Sequence, residues 1–297
     1  MAYYADASAE SRLILRDAAE TLSATFYFAE SAVDADGAIT VGIVDEAGAT
    51  VVASGTSTTS VGSGVYSYSL AAQSSLKRLI VTWTGTFGGN SMDFDTYAEV
   101  VGGFYATPAE VRAMPEIVGE SATFSAAAIV DAIAYATQIV DDYCGASFVQ
   151  RYERDLLNGT NSDTIKVSKM FPTTIISASI DGTALTSGKI AEVAKFDDGQ
   201  LVRKSDIWAF TQPGNGVIIE YEHGASTHAP NDIRWAARTL ARYHLLEEIS
   251  RIPSQATQIQ SEFGSITMSQ PGMNRPTPMP PVNTVLNRHR HRAPTAF

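Results

Sequence analysis

The feature that most constrains the fold is a change of hydrophobic period between residues 101 and 107. From Thr21 to Val101, short runs of β-branched and aromatic residues are separated by turn signals, and none of them has a helical period. From Thr107 onwards, apolar residues recur at helical spacing in two long segments. The 297 residues therefore predict an all-β part followed by a part that contains helices.

The first part consists of short candidate strands. The segment Asp45–Gly48 has the composition of a hairpin turn, and strict alternation over Val65–Leu70 is typical of a half-buried strand. Strands at this spacing predict a β-sandwich of roughly 100 residues. The candidate strands are Thr21–Phe28, Ile39–Val44, Thr50–Ala53, Val65–Leu70, Leu79–Thr84 and a last strand through Tyr97 to Val101.

Polar and aromatic residues of this part each have two interpretations. Three turn aspartates, Asp34, Asp36 and Asp45, could bind calcium, but isolated turn aspartates more often hydrogen-bond to their own backbone. Trp83 lies within an apolar strand, which predicts a core residue.

An alternative hypothesis gives the first part a binding function. Trp83, Tyr66 and Tyr68 could form the binding surface of an adhesin or carbohydrate-binding module. The C-terminal part would then be its anchor.

Strong local signals mark two helices. Thr107 is a capping residue, Pro108 suits the first helical position, and Glu110 can reach back to the cap. The segment Ser125–Cys144 is the clearest amphipathic helix, with Gly145 as the expected terminator.

A second long helix is predicted from Asn231 to Ile252, with Pro253 as its stop. Its apolar residues lie on two sides, so it needs two partners, which could be the first long helix and a neighbouring subunit. Arginines recur every four residues on the second side and could face DNA, a neighbour's acidic helix, or solvent with local ion pairs. The candidate inter-subunit or channel ridge comprises Arg234, Trp235, Arg238, Arg242, Leu246 and Ile249.

The C-terminal segment is rich in proline and ends in arginines. A strand-like piece, Phe263–Ser269, precedes the prolines, whose spacing favours an extended arm that does not fold back. Such an arm is ordered only when a partner binds it. We therefore expect deletion of residues 272–297 to leave the fold intact.

Candidate catalytic residues do not form a convergent set. The one cysteine, Cys144, excludes an internal disulfide, and its place at the edge of an apolar stripe predicts a small buried side chain. Glu222, His223 and His228 could hold the metal of a hydrolase, but the loop offers no third soft ligand. No nucleotide-binding, nucleophile-elbow or zincin motif occurs. We expect no catalytic residue, no metal and no cofactor.

The charge distribution argues against a protein that wraps nucleic acid. The net charge is −11, and residues 1–105 hold 4 Lys and Arg against 12 Asp and Glu. The part from Ser226 onwards is the exception, with 8 basic and 4 acidic residues. The apolar runs are too short for a membrane span, and the N-terminus lacks the pattern of a signal peptide.

From Thr107 onwards, the order of these features resembles the head–tail adaptor, or connector, proteins of long-tailed double-stranded DNA bacteriophages. The segment Asp36–Val101 resembles the immunoglobulin-like β-domain that some of these adaptors carry in front. One departure is the insertion Gly188–Asp206, which is longer than expected and leaves the strand count open. The matching pieces are Thr107–Glu110, Ser125–Cys144, Leu157–Gly159, Phe171–Ile175, Ile180–Gly182, Ala229–Ala236, Glu262–Ile266 and Val285–Arg288.

This resemblance implies a structural virion protein that is made in the cytoplasm of the host bacterium. Members of the family form a twelve-membered ring beneath the portal ring and extend the channel through which double-stranded DNA passes during genome ejection, without sequence-specific binding. They also bind the next neck or tail protein, a stopper or tail terminator, and the C-terminal arm would dock on the portal. The candidate docking residues are Ile266, Met268, Met273, Pro278, Val282, Val285, Leu286, Arg288, Arg290 and Arg292.

The expected fold class is α+β in three parts. An immunoglobulin-like sandwich would span residues 1–104, and an adaptor domain of two long helices and a small β-sheet would span residues 105–262. An extended docking arm would span residues 263–297.

Overall fold

The computed structural model describes residues 3–7, 12–119, 123–209, 216–226, 228–249, 258–261, 264–267 and 276–291. The chain divides into two compact units, Met1–Gly102 and Gly103–Phe297. The described residues of the first unit form strands, and those of the second form helices and strands, so the predicted α+β class is confirmed.

The first unit is built from ten strands. They are β1 (Tyr3–Ala7), β2 (Leu13–Leu15), β3 (Glu20–Phe28), β4 (Ser31–Ala32), β5 (Thr40–Asp45), β6 (Thr50–Ser57), β7 (Thr59–Gly62), β8 (Val65–Leu70), β9 (Lys77–Phe87) and β10 (Asn90–Val101). One sheet has the order β1-β3-β8-β7, with β4 paired to β3, and the other has the order β2-β10-β9-β5-β6. The ladder between β2 and β10 is parallel, and the others are antiparallel.

Alternation along β9 builds the interior between these two sheets. Its inward side chains include Trp83, which is a core residue as predicted and whose Nε1 donates to Thr96 Oγ1 at 2.9 Å. Phe26 on β3 reaches across to the other sheet, with ring centroids 5.1 Å from Phe87 and 5.3 Å from Phe94. Aromatic packing between the sheets therefore makes this unit a sandwich.

The three turn aspartates accept hydrogen bonds from backbone amides. Asp45 accepts from its own turn, as expected, whereas Asp34 and Asp36 accept from amides 30 and 53 residues further along the chain. The donors are the amides of Gly64 to Asp34 at 2.6 Å, Gly89 to Asp36 at 2.8 Å, and Ala47 and Ala49 to Asp45 at 3.1 and 2.8 Å.

Strands β1 and β2 were not predicted. Their segments are short, and β2 has a three-residue register with β10, more than eighty residues along the chain. Pairing with a distant strand, rather than local alternation, determines these two elements.

The second unit combines five helices with nine strands in its described part. Its elements are α1 (Pro108–Arg112), α2 (Ala126–Cys144), β11 (Arg151–Leu157), β12 (Thr164–Lys166), β13 (Pro172–Ile180), β14 (Thr183–Ala184), α3 (Ser187–Ala191), β15 (Val193–Lys195), β16 (Gln200–Arg203), β17 (Val217–His223), α4 (Asn231–Ile249), β18 (Gln258–Ser261), β19 (Gly264–Thr267) and α5 (Pro280–Arg288). One apolar core lies among α1, α2, α4 and α5, and a second lies between small sheets. The last residues of the predicted second helix, 250–252, lie outside the described residues.

Helix α2 has the ends that its sequence predicts. Ser125 Oγ accepts from the amide of Ala128 at 3.1 Å, and Gly145 ends the helix with φ +73°. A Cβ on Gly145 would also lie 3.0 Å from the carbonyl oxygen of His291. Glycine is therefore required both by the left-handed turn and by the C-terminal backbone beside it.

The insertion at Gly188–Asp206 completes the β core. It forms most of α3 together with β15 and β16, which pair with β12 in the order β12-β16-β15. The other sheet has the order β11-β17-β13-β14. Strand β16 ends at Arg203, and the Trp208 side chain turns into the core, where its Nε1 donates to Leu201 O at 3.3 Å.

The prediction of an extended arm is wrong for residues 276–291. Residues 280–288 form α5, and the side chains of Val282 and Leu286 are fully buried in the helical core. These residues belong to the same compact unit as α2 and α4 rather than to a separate third part. A local signal was present, because Pro280 and Pro281 suit a helix start and apolar residues follow at helical spacing.

Candidate functional site

The arginine ridge of α4 is paired with acidic residues of the same chain. Arg234 lies 2.6 Å and Arg238 lies 3.7 Å from the same oxygen, Glu110 Oε1. Arg242 forms an ion pair with Glu116. Of the roles considered for the ridge, the structure contains local ion pairs, here between α4 and the α1 region.

Glu110 occupies this place because it also caps α1. Its Oε2 accepts from the amide of Thr107 at 2.9 Å, and Thr107 Oγ1 accepts from the amide of Glu110 at 3.2 Å. Burial alone would raise the pKa of Glu110, but the Thr107 hydrogen bond and the charge of Arg234 outweigh it and lower that pKa. The local pattern identified the cap and missed the contact with the ridge.

The second apolar side of α4 is covered largely from within the chain. Leu245 is buried, Leu246 packs against the helical core, and α1 and α5 both contact α4. Trp235 is 39% exposed. Ile249 is the last helical residue, and its side chain lies outside the description. Part of the second side is therefore covered from within the chain, and the neighbouring subunit as a partner for the exposed Trp235 stays a prediction.

Helix α5 is held by polar contacts at the end of α2. Tyr143 Oη donates to Asn287 Oδ1 at 2.5 Å, and the amide of His291 donates to the carbonyl of Cys144 at 2.8 Å. The guanidinium of Arg290 lies 4.8 Å from the centre of the Tyr143 ring. The C-terminal segment thus closes over α2 as part of the fold.

Asp232 at the start of α4 ties α5 to that helix. Its Oδ2 lies 2.7 Å from His289 Nε2 and 3.6 Å from Arg288 Nη1. Burial would raise the pKa of Asp232, but the hydrogen bond and charge of His289 lower it below its ordinary value. This contact and the buried face of α5 hold the segment from two sides.

The predicted docking residues have different environments. Val282 and Leu286 are in the core, so their side chains are not a free docking surface. Pro278 and Val285 are half-buried, and the Arg288 side chain is 67% exposed. Ile266 lies in β19 with its side chain outside the description. Met268, Met273 and Arg292 lie outside the described residues.

A small cavity of about 210 Å³ lies beside the end of α2. Asp141 lines it and accepts a hydrogen bond from the buried hydroxyl of Tyr105. Burial raises the pKa of Asp141 from 3.8 to about 6 and raises the pKa of Tyr105. Ser147, Ser168, Lys169 and His223 also line this cavity.

The candidate nucleophile and metal ligands do not form a site. Cys144 is fully buried, and burial raises its pKa to about 12, so it is a thiol rather than a thiolate. Glu222 and His223 are consecutive on β17 and point to opposite faces, while His228 lies in an exposed loop. Within the residues that the structure describes, no three His, Cys, Asp or Glu side chains are placed to hold a metal ion.

The aromatic set of the adhesin hypothesis is not exposed as a set. Trp83 and Tyr66 are buried, and Tyr66 Oη accepts from the amide of Ala35 at 3.0 Å. Tyr68 is half-buried. The exposed tyrosine on the outer face of β10 is Tyr97, which the sequence analysis did not identify as a binding residue.

No helix in the described part of the chain is both long and apolar enough to cross a membrane.

Comparison with known families identifies the class. The family described as head completion protein matches residues 107–291, which is more than half of the chain. The chain therefore belongs to the head completion protein family, and it is a structural component of the phage head. Its location is the virion, and the resemblance to head–tail connectors is confirmed at this level.

Two solved structures are similar in part. A chain from the neck of an empty gene transfer agent particle, computed with C6 symmetry, has 16% identity and a TM-score of 0.43. A chain from the virion of a native gene transfer agent particle has 15% identity and a TM-score of 0.39. Each comparison covers 62% of this chain and 88% of the other. No curated protein matches the chain.

Proposed function

We propose that the chain assembles as a ring of twelve copies beneath the portal. The ring extends the DNA channel and binds the next neck or tail protein, a stopper or tail terminator. The observation that carries this proposal is the family match over residues 107–291, which spans both long helices and α5. The order of sequence motifs resembling head–tail connectors supports the same function.

The outer side of α4 is the part of the ridge that we assign to contacts between subunits. Trp235 is partly exposed there, and about a third of each of the Arg234 and Arg238 side chains is accessible. Both guanidiniums are already held in place by Glu110. A neighbouring subunit that contacted them would therefore lose little side-chain entropy on binding. An aromatic residue beside arginines has the composition typical of interface cores.

The basic end of α5 is the surface that we assign to the portal. The exposed guanidinium of Arg288 and the neighbouring Arg290 lie at its C-terminus, whereas the apolar face of the helix is turned inwards. The portal contact is therefore charged rather than apolar. Its partner surface would carry carboxylates that pair with guanidinium groups.

The channel needs a surface that lets DNA pass. With a net charge of −11, the chain repels phosphates on average and does not supply the many cations that tight DNA binding requires. Sequence-specific binding would also require contacts with the DNA bases, and DNA that only moves through a channel does not need them.

The sandwich has the strand order of an immunoglobulin-like domain. In such domains one sheet contains strands ABED and the other GFC, with C′ added in variable-type domains. The order β1-β3-β8-β7 opposite β10-β9-β5-β6 matches that pattern when the strands are lettered along the chain. We therefore infer an immunoglobulin-like origin for the sandwich.

Assembly with the portal tests the proposal. The full chain, produced together with its portal, should form a complex whose mass contains twelve copies per portal ring. In the double variant Arg288→Gln and Arg290→Gln, loss of the two charges should abolish that complex. Thermal unfolding checks that α5 stays folded, because Arg288 also faces Asp232 and Arg290 also packs on Tyr143. Mass photometry and electron microscopy of the purified complex provide the measurement.

The matched control is Lys195→Gln, which removes an exposed charge on β15 of the same unit. It should leave the complex intact. A folded chain that stays monomeric beside its portal contradicts ring assembly. Equal effects of the double variant and the control contradict the assignment of α5 to the portal.

A further inference from the structure

The outer face of the second sheet of the sandwich is ordered in rows. Tyr97 on β10 pairs with Ile80 on β9, and Ile80 pairs with Val44 on β5, which makes one apolar row across three strands. Tyr97 is 67% exposed, the highest exposure among the large apolar side chains that the structure describes. An aromatic ring so open on a flat sheet face is available for stacking.

Charged groups border a groove of about 490 Å³ at this row. Arg12, Glu46, Arg78 and Glu99 line it together with Tyr97 and Ile80. Arg78 lies 3.5 Å from Glu46, and Arg12 lies 3.3 Å from Asp6, so the border is polar without a net charge among its four charged side chains. The volume lies within the range of about 300–1,000 Å³ that is usual for ligand sites.

Two further rows continue the polar face along β9 and β10. Thr82 Oγ1 donates to Asp95 Oδ1 at 2.7 Å, and Thr84 Oγ1 donates to Asp93 Oδ1 at 2.6 Å. A carboxylate has about four acceptor positions, so each aspartate retains capacity for another donor. The hydrogen bonds from threonine hold these acceptors in place beside the apolar row.

The apolar row and the polar rows beside it indicate which class of ligand would fit this face. A sugar ring has an apolar face of C–H groups that stacks on an aromatic ring, and its hydroxyls both donate and accept hydrogen bonds. The groove with its polar rows therefore matches a hydroxyl-rich chain better than a wholly apolar one. The acidic excess of residues 1–105 opposes an anionic ligand, because like charges repel.

We propose that the Tyr97 face of the sandwich is a binding site for a neutral carbohydrate chain. One sugar ring stacks on Tyr97 and Ile80, and the next residues of the glycan lie along the Asp95 and Asp93 rows. The site is distinct from the set of Trp83, Tyr66 and Tyr68, whose members are buried or half-buried. It lies outside the residues matched by the family, so its failure would leave the neck function untouched.

An array of neutral, sialylated and sulfated oligosaccharides tests the proposal with the full chain. We expect binding to neutral glycans, and calorimetric titration with the strongest of them supplies the dissociation constant. Tyr97→Ala should weaken that binding roughly tenfold because the stacking surface is lost. Asp95→Asn should also weaken it, since a carboxylate acceptor becomes an amide.

Tyr4→Ala is the matched control, because Tyr4 is an exposed tyrosine of the same sandwich on β1, stacked on Tyr27. It should retain the affinity of the unchanged chain, and circular dichroism establishes that all variants are folded. Absence of binding to every neutral glycan overturns the proposal. It is also overturned by a preference for anionic glycans, by equal affinity of Tyr97→Ala, or by a peptide-display screen in which apolar peptides alone occupy the groove.

Discussion

The sandwich and the helical core complete their interiors by different routes. In the sandwich, Trp83 on β9 pairs with Phe94 on β10, the next strand in the chain, and with Val41 on β5, an earlier strand. In the helical core, α5 completes a surface formed by α2, and 142 residues separate Cys144 from Leu286. Local alternation therefore predicted most strands of the first interior but not all of their pairings, whereas the second interior contains a helix from the far end of the chain that we had predicted to be an extended arm.

The largest expected effect tests whether α5 belongs to the helical core. Leu286→Ala removes a fully buried side chain, so it should lower the free energy of unfolding of the second unit by about 2–5 kcal/mol. Calorimetry of the full chain measures this change. Deletion of residues 272–297 should destabilise the unit still further, contrary to the sequence-based expectation.

The control for this variant is Thr284→Ala, an exposed position on the same helix. It should change the free energy of unfolding by less than about 1 kcal/mol. If both substitutions had equally small effects, α5 would not be part of the helical core. The hypothesis of an extended arm would then hold, and the difference between the two interiors would disappear.

A second prediction concerns the ionisation of Asp141, a residue of the second unit. The buried charged residues that the structure describes all lie in the second unit, where Asp141 also has its raised pKa of about 6. Its contribution to stability is full below pH 3.8, its ordinary pKa, and is lost as the pH rises through about 6. Asp141→Asn should therefore stabilise the chain at pH 7, by an amount on the order of 3 kcal/mol, and have little effect at pH 4.

Chemical denaturation of the two proteins at a series of pH values measures this difference. Asp131, an exposed carboxylate on the same helix α2, changed to Asn, is the control and should not reproduce the pH dependence. A gain that is equal at pH 4 and pH 7 would show that the burial of the Asp141 charge is not its cause.

The smallest expected effect lies in the sandwich. Thr96→Val preserves the shape of the side chain but removes the acceptor of the Trp83 indole N–H, which is then buried without a partner. We expect a loss of about 1–3 kcal/mol in the free energy of unfolding of the sandwich and none in the second unit. Separate calorimetric transitions report the two units.

Thr84→Val is the comparison here, because it removes an outward hydroxyl on β9. Its effect on unfolding should be smaller than that of Thr96→Val. If both units lost stability together, they would unfold as one cooperative body rather than by the separate routes described above.

Local residues predicted the elements that depend on local chemistry. The helix signals were confirmed. Thr107 and Glu110 form the reciprocal hydrogen bonds of a capping box, Ser125 caps α2, and Gly145 has the left-handed dihedral angles that end it. Each involves backbone groups within four residues, which is the distance over which sequence patterns act. The arginine spacing on α4 likewise predicted the ridge but not Glu110 as its partner.

The remaining elements could not be derived in this way. The prolines before α5 favour an extended arm in isolation, and burial of Val282 and Leu286 against α2 and α4 outweighs that preference. Strand β2 is similarly determined by its ladder with β10. Tyr97 is exposed because the opposite face of β10 packs against the other sheet. Composition does not show which face that is, so it could not predict the exposure of Tyr97.

The sequence by itself determined the α+β class, the two long helices, and the cap and terminator of the first of them. These properties follow from hydrophobic period and from hydrogen bonds between near neighbours, both of which are written in short stretches of chain. Only the tertiary structure decided that the C-terminal segment is a core helix, that the arginine ridge binds α1 and that Tyr97 is open. Those outcomes depend on apolar surface and charge contributed by segments far apart in sequence, which meet only when the chain has folded.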